Sequence, residues 1–381
     1  MHSMTQDQAP VVIGGVDAHA DTHHAAALDA RGGLVGSKEF PATTAGYEQL
    51  NAWLHGFGEV EAVAVESTSS YAAGLTRALT AHGVVVVEVN QPHAHSRRRR
   101  GKSDAVDAEL AARRYLTGEG IAVPKDTSGV VESIRMLRVA RHGAVKARTA
   151  ALLQARDLIT TAPQPLREQI TVRKTLRARL AICKRFRPGQ LRTPTHAAKL
   201  ALKTLADRVG ALDREIAVLD TQLQQLVTTT APRTTSLLGI KTGHAGQFLV
   251  TAGENIDRLS KGESSFAALC AASPVKASSG KTNRHRLNPG GDRQANRALH
   301  MIAVYRLGAC PRTQAYATRR TTEGKSKPDI IRCLKRAIAR EVHHALTADL
   351  ADLIAHNRPG PAHTTVILCG NPGHGTLRQR T

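Results

Sequence analysis

Four acidic residues stand out by where they fall. Asp17 follows the apolar run VVIGGV, Glu66 closes VEAVAVE, and Asp104 and Asp107 stand three apart in SDAVDAELAARRYL. Spacing i, i+3 puts the last two on one helix face, with Ser103 placed to cap that helix. Carboxylates at the ends of neighbouring strands and on a helix crossing them can converge, and charges so close repel unless a divalent cation neutralises them. The expectation is an oxygen cage for Mg2+, with Mn2+ as a substitute. Two such ions roughly 3.5–4 Å apart would stabilise both the attacking and the leaving oxygen in phosphoryl transfer. Taken singly, each acid is more often a solvated or capping residue, so the combination carries the meaning. Asp21 and Glu109 read as surface acids. His19, His23 and His24 offer nitrogen ligands, yet His23 and His24 face opposite sides of a strand, which favours an ordinary structural reading of the group.

A second chemical candidate is ASSGKTNRHRLNPGGDRQANRAL, where Ser278 and Ser279 precede Gly280 and a basic loop leads to a helix start near Asp292. A serine hydroxyl needs activation to attack phosphorus; Lys281, Arg284, His285 and Arg286 would lower the cost of developing charge, and a cation site would polarise the phosphate. On its own, the segment reads more readily as a Gly/Ser turn joining two helices. The run SRRRRGKSD sets Arg97, Arg98, Arg99, Arg100 and Lys102 directly before Asp104. Such blocks are usually solvated, but beside a cation site this one would hold a phosphate backbone in register without reading bases. Lys281, Arg284 and Arg286 join it as candidate nucleic-acid contacts.

These residues need elements to position them. VVIGGV, HHAAALDA and LVGSKEF read as three strands, residues 44–57 as a helix, VEAVAVE as a strand, residues 71–82 as a helix and VVVVEVN as a strand. That is the order of a ribonuclease-H-like fold, an α/β N-terminal domain over residues 10–125 with a mixed sheet and flanking helices, although order alone leaves other α/β folds open. Residues 130–230 lose the β signal, and apolar residues recur every three to four positions between Arg and Lys, predicting a long, coiled-coil-like antiparallel helical hairpin. Residues 132–228 hold 19 Lys+Arg against 7 Asp+Glu, over half of the chain's excess charge, which marks this middle as a polyanion contact or a basic oligomerisation arm. A small, mainly α C-terminal domain is expected over 231–348, where LLGIKTGHAGQFLV has the form of a helix-hairpin-helix. The stretch from 357 to 381, rich in Pro, Gly, His and Thr, reads as a flexible tail.

The chain has 381 residues, a net charge of +22 and a pI near 10.5, so its surface potential favours a polyanion, with nucleic acid the leading partner. Cys183, Cys270, Cys310, Cys333 and Cys369 are widely spaced and odd in number, against both a disulfide framework and a zinc knuckle. No stretch reads as a signal peptide or a membrane span. A cytoplasmic, nucleoid-associated bacterial protein is expected.

GGVDAHAD, AVEST and GKSDAVDAELAAR resemble the DEDD, RuvC-like N-terminal domain of the IS110 family of insertion-sequence transposases. LLGIKTG, FAALCAASPVKASSGKTNRHRLNPGGDRQANRAL and EGKSKPDIIRCLKRAIARE resemble that family's C-terminal domain, so the likeness spans essentially the whole chain. The resemblance implies that Asp17, Glu66, Asp104 and Asp107 form the metal site and that Ser279, with Ser278 as its neighbour and alternative, links covalently to DNA. It further implies double-stranded DNA at the element ends and target, a structured non-coding RNA as guide, and a homo-oligomer, dimer or tetramer. Two rival readings remain: a RuvC-like nuclease that hydrolyses DNA with the acids alone, and a catalytically inactive nucleic-acid-binding protein.

Overall fold

The computed structural model of the chain describes residues 9–357, apart from 67, 69, 90–102, 119, 277, 279–284 and 287. The chain divides into two compact units. One holds the residues up to Gly129 with Ala252–Phe266 and the stretch from Leu350; the other holds Val130–Thr251 and Ala267–Asp349.

The first unit is built on a six-stranded sheet in the order β3-β2-β1-β4-β5-β6. β1 (Val11–Ala18), β2 (Thr22–Asp29) and β3 (Leu34–Pro41) form an antiparallel meander. β4 (Glu59–Glu66) and β5 (Val86–Val89) run parallel to β1, and the two-residue β6 (Ile121–Ala122) closes the far edge antiparallel. Strand alternation sorts the side chains. Val12 and Val16 with Val63 and Val65 face α1 (Thr44–His55) and α2 (Ala73–Ala81), whose Leu50, Leu54, Leu75 and Leu79 are fully buried there. Each such leucine contributes about 2 kcal/mol of burial. The opposite face, through Ile13, Leu28, Ala64 and Val87, packs on Ala111 and Ala112 of α3 (Asp104–Thr117). Thr43 and Ser103 cap α1 and α3 with their hydroxyls, as Ser103 was placed to do.

In the second unit, α4 (Val130–Thr161) and α7 (Pro194–Thr230) form the long hairpin, with α5 (Gln164–Thr171) and α6 (Leu176–Cys183) at its tip. Small and branched residues, among them Ala151, Ala155, Ile159, Leu202, Ala206 and Val209, make the seam. Arg141 pairs with Asp220 and Arg148 with Asp213, which fixes the two helices as antiparallel. The helical remainder comprises α8 (Pro232–Ser236), α9 (Thr242–Ala252), α10 (Asp257–Ser260), α11 (Glu263–Leu269), α12 (Arg293–Ala309), α13 (Pro311–Thr322) and α14 (Lys327–Asn357), with α9 and α14 running across the unit boundaries and α10 and most of α11 in the first unit. A two-residue hairpin, β7 (Val275–Lys276) with β8 (His285–Arg286), interrupts the helices. α8 and α9 join through a turn in which Gly239 takes φ +78°, open to glycine at little cost. The buried Asp349 ties the start of α8 down, accepting from Arg233 N at 3.0 Å, Thr234 N at 2.9 Å and Thr234 Oγ1 at 2.7 Å. Among the described residues, no helix is long and apolar enough to cross a membrane.

Candidate metal centre

Gly15 sets how close α3 comes to the sheet. A Cβ built on it would lie 2.1 Å from Ala108 O and 2.5 Å from Ala112 N, so only glycine admits this approach. Two residues further along the same face stands Asp17. On the neighbouring parallel strand, Val16 lies opposite Val65, and Ala64 shares the α3-facing side with Gly15. The alternation therefore sets Asp17 and Glu66, each one step beyond that pair, at adjacent strand ends on the α3 side. From across the gap, α3 presents Asp104 and Asp107 in its first turn.

His19 belongs with these acids. Its N–H donates to Thr22 O at 2.9 Å in the tight β1-β2 turn, and its side chain returns to the face that carries Asp17. The imidazole Nε2 lies 3.4 Å from Asp17 Oδ2 and 3.3 Å from Asp104 Oδ1. One ligand atom from each of Asp17, His19 and Asp104 lies within 4.8 Å of the others, and this is the group with metal-binding geometry among the described residues. Burial pushes the Asp17 carboxyl above the ordinary carboxylate range, the charges of Asp107 and Asp104 push the same way, and His19 draws it back down. Asp107 is 4% exposed, whereas the Asp104 side chain is 48% exposed. A half-buried set of hard oxygens that repel one another is the donor chemistry a divalent cation fits.

The other histidines keep their structural roles. His23 is fully buried and stacks on Tyr47 with ring centroids 5.5 Å apart, and burial lowers its proton affinity. His24 meets Ser37 Oγ at 2.8 Å. Reading the three histidines as one bland group missed that the strand ends at Ala18, which releases His19 to fold back on Asp17. Glu109, read as a surface acid, is instead largely covered, with a 14% exposed side chain paired to Arg113 at 2.6 Å.

The remaining sequence candidates fall elsewhere. Ser279, Lys281 and Arg284, with Arg97, Arg98, Arg99, Arg100 and Lys102, lie outside the described residues. Arg286 is exposed on β8 and Ser278 is exposed between the two strands of that hairpin. In the hairpin helices, part of the basic excess is used internally. Arg138 donates to Gly243 O at 2.7 Å and Gln247 Oε1 at 2.6 Å, and Arg141 is held by Asp220.

Two family models match the chain, the first running through the first helix of the long hairpin. Residues 14–162 match a DEDD-type transposase model of IS110, and residues 231–318 match a model described as Transposase IS116/IS110/IS902 family. None of the curated proteins matches the chain. The two matches together cover more than half of the sequence, and the first spans all four acids. A ribonuclease-H-like sheet of this order, followed by a small helical domain, is accordingly that of a transposase, an enzyme whose substrate is DNA. The chain belongs to the IS110 family of insertion-sequence transposases. The match to a DEDD transposase domain suggests the use of a divalent metal.

Proposed function

We propose that this transposase cuts and rejoins DNA by metal-assisted phosphoryl transfer, with Asp17, Glu66, Asp104 and Asp107 holding Mg2+ and Ser279 acting as nucleophile. The observation that carries the metal half is the approach of Asp17 and Asp104 to one another beside the buried Asp107, on a face that Gly15 keeps narrow. When bound, the cation polarises the scissile phosphate and steadies the oxygen that leaves. The acids orient it and keep their charge directed at one point. Ser279 Oγ forms a bond to phosphorus as a phosphate–oxygen bond of the strand breaks; the serine proton passes to solvent and the freed DNA oxygen takes one up. The phosphoserine conserves the energy of the broken bond, so a DNA hydroxyl can displace the serine and reseal the strand without a nucleotide cofactor.

Double-stranded DNA at the element ends and target is the substrate, a structured RNA selects both sites, and the protein works as a homo-oligomer. The likeness to the family supports these points, and the net charge of +22 suits two polyanions. The test uses supercoiled plasmid carrying the element's junction, with RNA that co-purifies with the protein retained and sequenced. Rejoined products and a protein–DNA adduct are expected from the wild type, with both lost in Ser279→Ala and retained in Ser278→Ala. Linear product that persists unchanged in Ser279→Ala would convert the assignment to a nuclease that uses water. DNA binding without cleavage by the wild type would leave only a binding protein.

A further inference from the structure

We infer that His19 is a nitrogen ligand of the cation held by Asp17 and Asp104, so that the centre is a mixed nitrogen and oxygen site rather than a cage of carboxylates alone. The inference rests on the metal-site reading above and deepens it.

The distances suit three ligands gathered around one ion. Nε2 stands 3.4 Å from Asp17 Oδ2 and 3.3 Å from Asp104 Oδ1, both beyond the usual N–H to oxygen range. Neighbouring ligands around an octahedral ion with bonds near 2.1 Å lie about 3.0 Å apart, and opposite ligands about 4.2 Å apart. Three atoms spaced at 3.3 and 3.4 Å, all within 4.8 Å of one another, need only a small contraction to share such an ion. The backbone prepares the ring for this. β1 ends at Ala18, and the bond from His19 N–H to Thr22 O closes the turn so that the ring comes back to Asp17. Gly15 lets α3 bring Asp104 to the ring's other side.

An imidazole changes which ions the site prefers. Mg2+ takes oxygen donors and tolerates nitrogen poorly, whereas first-row transition ions accept imidazole readily. The centre is therefore expected to hold Mn2+ in preference to Mg2+, a bias that His19 supplies.

Mn2+ added to the purified full chain is the probe, read by electron spin-echo envelope modulation and by titration calorimetry. Wild type should show the modulation of a directly bound nitrogen in the component of Mn2+ binding that Asp17→Asn removes. In His19→Asn, which keeps a polar side chain at this exposed turn, that modulation should vanish and affinity should fall at least about tenfold, with the melting temperature unchanged. Nitrogen modulation that survives in His19→Asn, or equal affinities in the two proteins, overturns the role of His19. Mn2+ binding that depends on Asp17 but carries no nitrogen signal overturns it too, while leaving the carboxylate centre standing. If no Mn2+ binding depends on Asp17, the metal-site reading fails together with it.

Discussion

Replacing Gly15 by alanine probes the packing that brings the acids together. The new methyl carbon would sit 2.1 Å from Ala108 O, 2.5 Å from Ala112 N and 2.8 Å from Ala112 Cβ. Comfortable contacts begin near 3.5 Å, so α3 must withdraw by roughly 1 to 1.5 Å. Two of the three obstacles are backbone atoms in the middle of a helix, and no rotamer change relieves them. Overpacking of this kind costs about 1–3 kcal/mol, and a displacement of about 1 Å between reacting groups can lower a rate about 100-fold. The adjacent Gly14→Ala is the control. Its methyl would meet Val63 Cγ2 at 3.0 Å and Leu54 Cδ1 at 3.1 Å, side chains on the other face of the sheet, with no acid nearby. Thermal unfolding, Mn2+ affinity and plasmid recombination are measured on both variants. Both should unfold at lower temperature, but Gly15→Ala alone should lose metal affinity and most of its activity. Equal losses of function at matched stability would refute the claim that the distance between β1 and α3 sets the site.

Two further predictions follow from buried carboxylates. Folding raises the proton affinity of Asp17, so the stability of the metal-free protein is greatest where that carboxyl is neutral and falls as pH rises from the ordinary value near 4 through its raised value. Asp17→Asn cannot ionise there and escapes that loss: without divalent ions it should melt above wild type at neutral pH and level with it in acid, and saturating Mn2+ should reverse the order because only wild type binds the ion. A metal-free wild type that is the more stable at neutral pH would contradict the charge crowding. In the other unit, Asp349→Ala leaves Arg233 N, Thr234 N and the Thr234 hydroxyl without their acceptor, at a cost of about 3 kcal/mol in urea unfolding; Asp349→Asn, which keeps one acceptor oxygen, should lose less, and a loss for alanine below about 1 kcal/mol would show that the latch is dispensable.

The sheet was legible because its strands carry strong local signals. VVIGGV and VEAVAVE are apolar on both faces, as strands between two helical layers must be, α1 shows in its apolar spacing and α3 announces itself by a serine cap. β6 and the β7-β8 hairpin were not legible, since two residues make no period. Nor could the tip of the long hairpin be read in detail, where the short α5 and α6 each span eight residues, little more than two turns. Within the site, the four acids were visible as residue types at strand and helix ends. His19 was hidden for a geometric reason: extending strand alternation past Ala18 treats it as one of three histidines, whereas the turn at residues 19–22 detaches it from that series.

One pleat does two jobs in β1, and this couples the site to the core. On one face Val12, Gly14 and Val16 build the layer under α1 and α2; on the other, Gly15 allows the close approach of α3 and Asp17 supplies the carboxylate. The acids on α3 differ from Asp17 in their support. Asp104 and Asp107 occupy the first turn of a helix, where the exposed N–H groups favour negative charge by about 0.3–1 kcal/mol each. Asp17 sits at a strand end without that help and faces both of their charges. It is therefore the position where a proton competes most directly with a cation. Metal affinity should then climb with pH across the range in which Asp17 ionises, and Asp104→Asn, by removing one of the two charges that hold the Asp17 proton, should shift that rise to lower pH even as it removes a ligand.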